Sequence, residues 1–263
     1  MKRKIYILIL LMLFCFVLSY CSMKRETPKD QESKPVEQEQ VEETELDTSS
    51  KVFTKNGDLT GDQMEEKVEV VINWYSPEDD NTLAITDRDN RIIYSKKVED
   101  AACYSDIYIE DFDGDRIKDA LIALDYCGSG GFMEYYIIHY KNDAFKEIDL
   151  NKFDINPYFK HKINDNYITL KSDKFKFDES YVLSPYYMEH IKEQGNEANF
   201  SHMRFEPIDV DKDGRYELSM GALFRLGRHY PIADINMILR LKNRELIPIN
   251  IEVKELEQEQ YMD

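Results

Sequence analysis

Beyond residue 50 the chain alternates apolar and polar positions in short stretches. Examples are Lys67-Val-Glu-Val-Val-Ile-Asn-Trp-Tyr75, Arg91 to Tyr94, Asp106 to Ile109, Ala120 to Leu124, Tyr135 to Tyr140, Tyr167 to Leu170 and Met237 to Leu241. Each is rich in β-branched and aromatic residues and too short for a helix, so each predicts a strand. Turn-forming residues separate them: Asp89-Asn90, Gly128 to Gly131, Lys141-Asn142-Asp143 and Lys242-Asn243. One helix fits the pattern, Pro185 to Gln194, with Gly195 as its stop. The expected fold class is all-β for the most part, with at most one or two short helices.

The N-terminal residues follow other rules. Residues 1–21 place Lys2, Arg3 and Lys4 before an apolar run from Ile5 to Leu18, then Ser19-Tyr20-Cys21. That is the layout of an export signal, too short for a membrane span. The end of the run looks like a lipoprotein cleavage box, in which Cys21 carries the lipid, although Tyr20 stands where a small residue is usual. Ordinary secretion and an uncleaved anchor are the alternatives, and all three place the protein outside the cytoplasm. Residues 22–50 turn to Glu, Gln, Lys, Pro, Ser and Thr and bury too little apolar surface to offset ordering entropy. They read as a disordered acidic tether with a span of roughly 30 Å. Residues 51–263 have the length of one domain.

Within that domain an acidic nonapeptide recurs. Asp111, Asp113, Asp115 and Asp119 occupy its first, third, fifth and ninth positions in one copy, and Asp209, Asp211, Asp213 and Glu217 in another. Carboxylates so close repel one another unless a cation sits among them, and hard oxygen donors at this spacing suit calcium. A weaker copy has Asp58, Thr60, Asp62 and Glu66. The first positions lie 53 and 98 residues apart, which predicts a unit of about 50 residues with a degenerate member near Asn164-Asp165-Asn166. Units of that length imply propeller-like or stacked β-blade repeats that bury their faces only against neighbours. An EF-hand is excluded, because its twelfth-position glutamate is replaced by Ile122 and Met220.

The formal net charge is −18, and −21 once the three basic signal residues are removed. Such a surface excludes nucleic acid as a partner, and any membrane contact is expected through the lipid anchor alone. Cys103 and Cys127 lie twelve residues either side of Asp115. If the loop joins two antiparallel strands in register, they face each other and form a disulfide in an oxidising compartment. Two free buried thiols are the alternative, should a bulge spoil the register.

The strand, acidic loop, strand pattern resembles the FG-GAP and VCBS repeats of integrin-type β-propellers and bacterial surface proteins. The motifs carrying the resemblance are Asp-x-Asp-x-Asp-Gly-x-x-Glu-Leu at 209–218, Asp-x-Asp-Gly-Asp-x-x-x-Asp at 111–119 and Gly-Asp-Leu-Thr-Gly-Asp at 57–62. The resemblance implies calcium held by side chains at positions one, three, five and nine and by the main-chain carbonyl of position seven. In this sequence position seven is Ile117 in one loop and Arg215 in the other. Arg116 departs from the glycine usual at position six.

Enzymatic signatures are weak. His139, His161, His190, His202 and His229 have no metal-ligand spacing, and no nucleophile elbow or phosphate loop occurs. Tyr135-Tyr136 and Tyr186-Tyr187 are candidates for a binding face, with core packing as the alternative. The expectation is a non-enzymatic, calcium-binding, envelope-displayed binding or adhesion module for an extracellular or periplasmic protein or glycan. The alternative is an envelope-associated hydrolase, or its accessory subunit, using the repeats to bind substrate.

Overall fold

The computed structural model describes residues 50–73, 81–98, 102–127, 131–164, 166–194, 197–227 and 230–256. The expected signal, Cys21 and nearly all of the expected tether lie outside them, as do Trp74, Tyr75, Asp165 and Gly195. Among the described residues the fold is mostly β: fifteen strands, one α-helix and two short 3-10 turns.

The strands form four antiparallel sheets, each a meander in chain order. Sheet I holds β1 (Lys51–Gly57), β2 (Glu66–Ile72), β3 (Asn81–Thr86) and β4 (Ile92–Val98). Sheet II holds β5 (Tyr104–Glu110), β6 (Asp119–Asp125), β7 (Met133–Tyr140) and β8 (Phe145–Asp149). Sheet III has three strands, β9 (Lys160–Asn164), β10 (Tyr167–Ser172) and β11 (Phe177–Val182), followed by α1 (Pro185–Gln194). Sheet IV has the longest strands: β12 (Ala198–Ile208), β13 (Glu217–Leu226), β14 (Tyr230–Lys242) and β15 (Glu245–Glu255).

Each acidic loop joins the first strand of a sheet to the second, in the same register. Gly57 pairs with Glu66, Glu110 with Asp119 and Ile208 with Glu217, so the residue before position one always faces position nine. The segment expected to hold a degenerate copy, near Asn164 and Asn166, lies between the first two strands of sheet III, where Asn164 pairs with Tyr167.

Packing follows the alternation. Val68, Val70, Ile72, Leu83 and Ile85 of sheet I meet Ile109, Ala120, Ile122, Leu124 and Ile138 of sheet II. The other face of sheet II, through Leu121, Ala123, Tyr135 and Ile137, joins a core with Ile168 and Leu170 of sheet III and Leu218, Met220 and Phe224 of sheet IV. β6 is therefore apolar on both sides and carries an unbroken run, Ala120 to Leu124, rather than an alternating one. Each leucine or isoleucine of the run, fully buried, contributes about 1.5–3 kcal/mol.

In the first two loops the second position plugs the space beside its sheet. Leu59 belongs to the core shared by sheets I and II, and Phe112 to the core shared by II, III and IV. Val210, in the last loop, is 51% exposed. Tyr135 and Tyr187 are buried, so these two candidates for a binding face are core residues; Tyr186 remains 42% exposed. The anchoring of α1 explains Tyr187, whose hydroxyl donates to the Pro231 carbonyl at 3.4 Å.

Cys103 and Cys127 are joined by a disulfide, with Cα atoms 5.8 Å apart. The β5–β6 register differs by one residue from the symmetric one: Tyr104 pairs with Asp125, which sets Cys103 opposite Tyr126. Cys127 regains contact by turning into the left-handed region, φ 47°, with its N–H donating to Asp125 Oδ1 at 2.8 Å.

Candidate metal centre

The three acidic loops share one backbone conformation. Positions four and six have positive φ in every copy: Gly61 and Gln63, Gly114 and Arg116, Lys212 and Gly214. Arg116 adopts the conformation that glycine takes more readily, at φ 72°. The weak 58–66 copy is thus a full structural member of the set.

The side chains repeat as faithfully. The position-one carboxylate accepts the position-six N–H in each loop: Gln63 to Asp58 at 2.9 Å, Arg116 to Asp111 at 2.9 Å and Gly214 to Asp209 at 3.2 Å. Position five accepts the N–H two residues on, Met64 to Asp62, Ile117 to Asp115 and Arg215 to Asp213, each at 2.9 Å. Position nine accepts the position-two N–H: Leu59 to Glu66 at 2.7 Å, Phe112 to Asp119 at 2.9 Å and Val210 to Glu217 at 3.5 Å. The carboxylates therefore cap the turn, as Asx turns do.

Oxygens of Asp111, Asp113 and Asp115 come within 4.8 Å of one another, as do those of Asp209, Asp211 and Asp213. The ninth residues, Asp119 and Glu217, do not join either cluster. In the 58–66 loop the position-three hydroxyl, Thr60 Oγ1, donates to Glu66 Oε1 at 3.2 Å, and both Leu59 and Thr60 N–H groups donate to Glu66 Oε2.

Crowding of like charges acts on protonation. Asp119 is buried, and burial followed by the charges of Asp113, Asp115 and Asp111 pushes its carboxyl up to about 8. Asp115 is raised by burial and then by the charges of Asp113 and Asp111. Glu66 is raised mainly by burial. A divalent cation would reverse all three tendencies by stabilising the ionised forms.

The loops also interlock. Position seven of one lies against the position-four glycine of the one before: a Cβ on Gly61 would stand 3.0 Å from Ile117 Cδ1 and Cγ1, and one on Gly114 would stand 2.9 Å from Arg215 Cζ. Tyr216 N–H donates to the Asp111 carbonyl at 2.8 Å, tying the third loop to the second. Position four of the last loop is Lys212, where no further loop demands a glycine.

Two residues missed in the sequence flank these loops. Continuing the β6–β7 and β13–β14 registers by one residue places His139 opposite Asp119 and Arg240 opposite Glu217. The His139 ring is buried, hydrogen-bonds through neither nitrogen, and has Nδ1 3.8 Å from Asp113 Oδ2; burial lowers its pKa. Arg240 reaches Glu217 Oε1 through Nε at 2.8 Å and Nη2 at 2.6 Å. The available signal was a lone polar residue within an apolar strand, His139 after Ile137-Ile138 and Arg240 between Leu239 and Leu241.

A cavity of about 640 Å³ opens beside the 58–66 loop, between Glu66, Asp87, Arg91 and Tyr140. A second, of about 350 Å³, runs between sheets II and IV past Phe132, Tyr135, Phe200 and Phe205.

No family model matches the chain. It is similar to YybI, an uncharacterised protein of Bacillus subtilis (strain 168), with 28% identity over 186 residues, covering 64% of this chain and 70% of that protein.

Proposed function

We propose that the chain is a non-enzymatic binding module of stacked, propeller-like β-blades, displayed on the cell envelope, whose acidic loops take up calcium. The observation that supports it is the repetition just described: three loops at the same place in three sheets, with the same left-handed positions and the same carboxylate placement. In two of them three carboxylates converge. Calcium accommodates irregular oxygen shells of this kind and needs no preformed cage. The exposure of Val210 favours a stack with an open end over a closed ring. The ion would rigidify the edge at which successive loops touch, and the adjoining face would meet an extracellular or periplasmic protein or glycan. The three carboxyls whose pKa is raised, and His139, lie in or against the acidic loops, so the hydrolase alternative gains no support from them.

The test is thermal unfolding in calcium and in chelator. A cation that binds only the native state stabilises it by mass action, about 1.4 kcal/mol at a tenfold excess over Kd. The parent should melt higher in calcium at millimolar concentration, and Asp115→Ala with Asp213→Ala should abolish the shift. An equal response in parent and double variant would show the loops to be turns and nothing more.

A further inference from the structure

The two clustered loops differ at the residue facing position nine, and the difference is one of fixed charge. Opposite Asp119 stands His139, an imidazole without hydrogen-bond partners whose Nδ1 faces Asp113 Oδ2 across 3.8 Å. A buried nitrogen and a carboxylate oxygen set face to face at that distance leave an unmet demand for a positive charge. The other cations near this loop meet it poorly. Lys141 Nζ lies 3.6 Å from the same oxygen but on a side chain that is 53% exposed, and Arg215 directs Nη2 to the Leu241 carbonyl at 2.6 Å.

Opposite Glu217 stands Arg240, a permanent cation whose fork grips the ninth carboxylate, with Nη2 3.9 Å from Asp211 Oδ2. One unit of positive charge is already built into that loop. Asp209 Oδ1 is nonetheless buried without a partner, so the 209–217 loop retains some capacity for a cation. In the 58–66 loop Asp87 takes this place, held by Arg91 at 2.7 Å, and Thr60 in place of a third carboxylate closes the loop on itself.

We infer that the residue facing position nine sets the order in which the loops fill: the 111–119 loop, beside His139, binds a divalent cation first and more tightly, and the 209–217 loop, beside Arg240, binds second and weakly. This deepens the calcium reading and rests on it.

Calorimetric titration of the full chain with calcium chloride tests the order. The parent should show two unequal steps, separated by at least about tenfold in Kd, the factor equivalent to 1.4 kcal/mol. Asp115→Asn should delete the tighter step and Asp213→Asn the weaker one, and these two variants decide the matter even if Arg240 proves necessary for folding. Arg240→Gln should tighten the second step about tenfold, toward the first. Two equal steps in the parent, or loss of the tighter step in Asp213→Asn, would overturn the order while leaving calcium binding intact. No heat in any protein, with no calcium-dependent change in melting, would remove both the order and the calcium reading.

Discussion

Arg215 lies across Gly114 so closely that a Cβ there would fall 2.9 to 3.0 Å from its Cζ, Cδ and Nε. The contact joins loops that are 98 residues apart in sequence, and its counterpart between Ile117 and Gly61 joins the other adjacent pair. A glycine at position four is thus favoured by the local backbone, and a Cβ there would also make the neighbouring loop's side chain shift.

Two alanine substitutions separate these effects. Gly114 and Gly214 both have φ above 80°, so alanine at either should cost about 1–2 kcal/mol through the backbone. Gly214 has open space where its Cβ would stand, whereas Gly114 has Arg215. Gly114→Ala should therefore lose more than Gly214→Ala in urea unfolding, by up to about 1 kcal/mol, since the Arg215 side chain must shift. Equal losses would mean that the loop contact yields freely.

The disulfide closes the β5–β6 hairpin around the central loop with a sequence separation of 24. On the chain-entropy account its removal costs about 3–4 kcal/mol. Cys103→Ser with Cys127→Ser should lower the urea midpoint accordingly, and the parent should match that variant once reduced.

Asp119 sets a pH dependence that calcium should reverse. In chelator its carboxyl is raised to about 8, so between the unfolded value near 4 and pH 8 the native state holds the extra proton. Native stability from this group is full at the acid end and is lost as pH rises through 8. A calcium ion in the adjoining cluster favours the ionised form, so with the ion present stability should instead rise over the same window. Asp119→Asn, which keeps an oxygen for the Phe112 N–H, should flatten the slope in chelator. Denaturant unfolding at pH 5, 6.5 and 8, with and without calcium, reads all of this.

At the N-terminus, metabolic labelling with a fatty acid should mark the parent and fail in Cys21→Ala. Label persisting in the variant, or absent from the parent, would exclude the anchor.

Much of the architecture was legible because it is local. The strands Ala120 to Leu124 and Tyr135 to Tyr140 lie within β6 and β7, and the helix spans Pro185–Gln194. Strands such as β1 and β11 escaped because they are mostly exposed and carry too few apolar residues to show a period. The disulfide partners were correct although the register is one residue from symmetric; the positive φ of Cys127 could not be read from a cysteine. His139 and Arg240 were illegible for another reason. They lie 20 and 23 residues beyond the carboxylates they face, and only the register of two further strands brings them there.

The double-sided burial of β6 has a dynamic consequence. A strand with a neighbour on each face opens only when both packings are lost, whereas β1 and β15 are edge strands of their sheets. Amide protons of Leu121 to Leu124 should therefore be the slowest to exchange with deuterium, reporting the global unfolding free energy, while the outer sheets fray from their edges at smaller cost. The central sheet is then the protected foldon around which the others come and go.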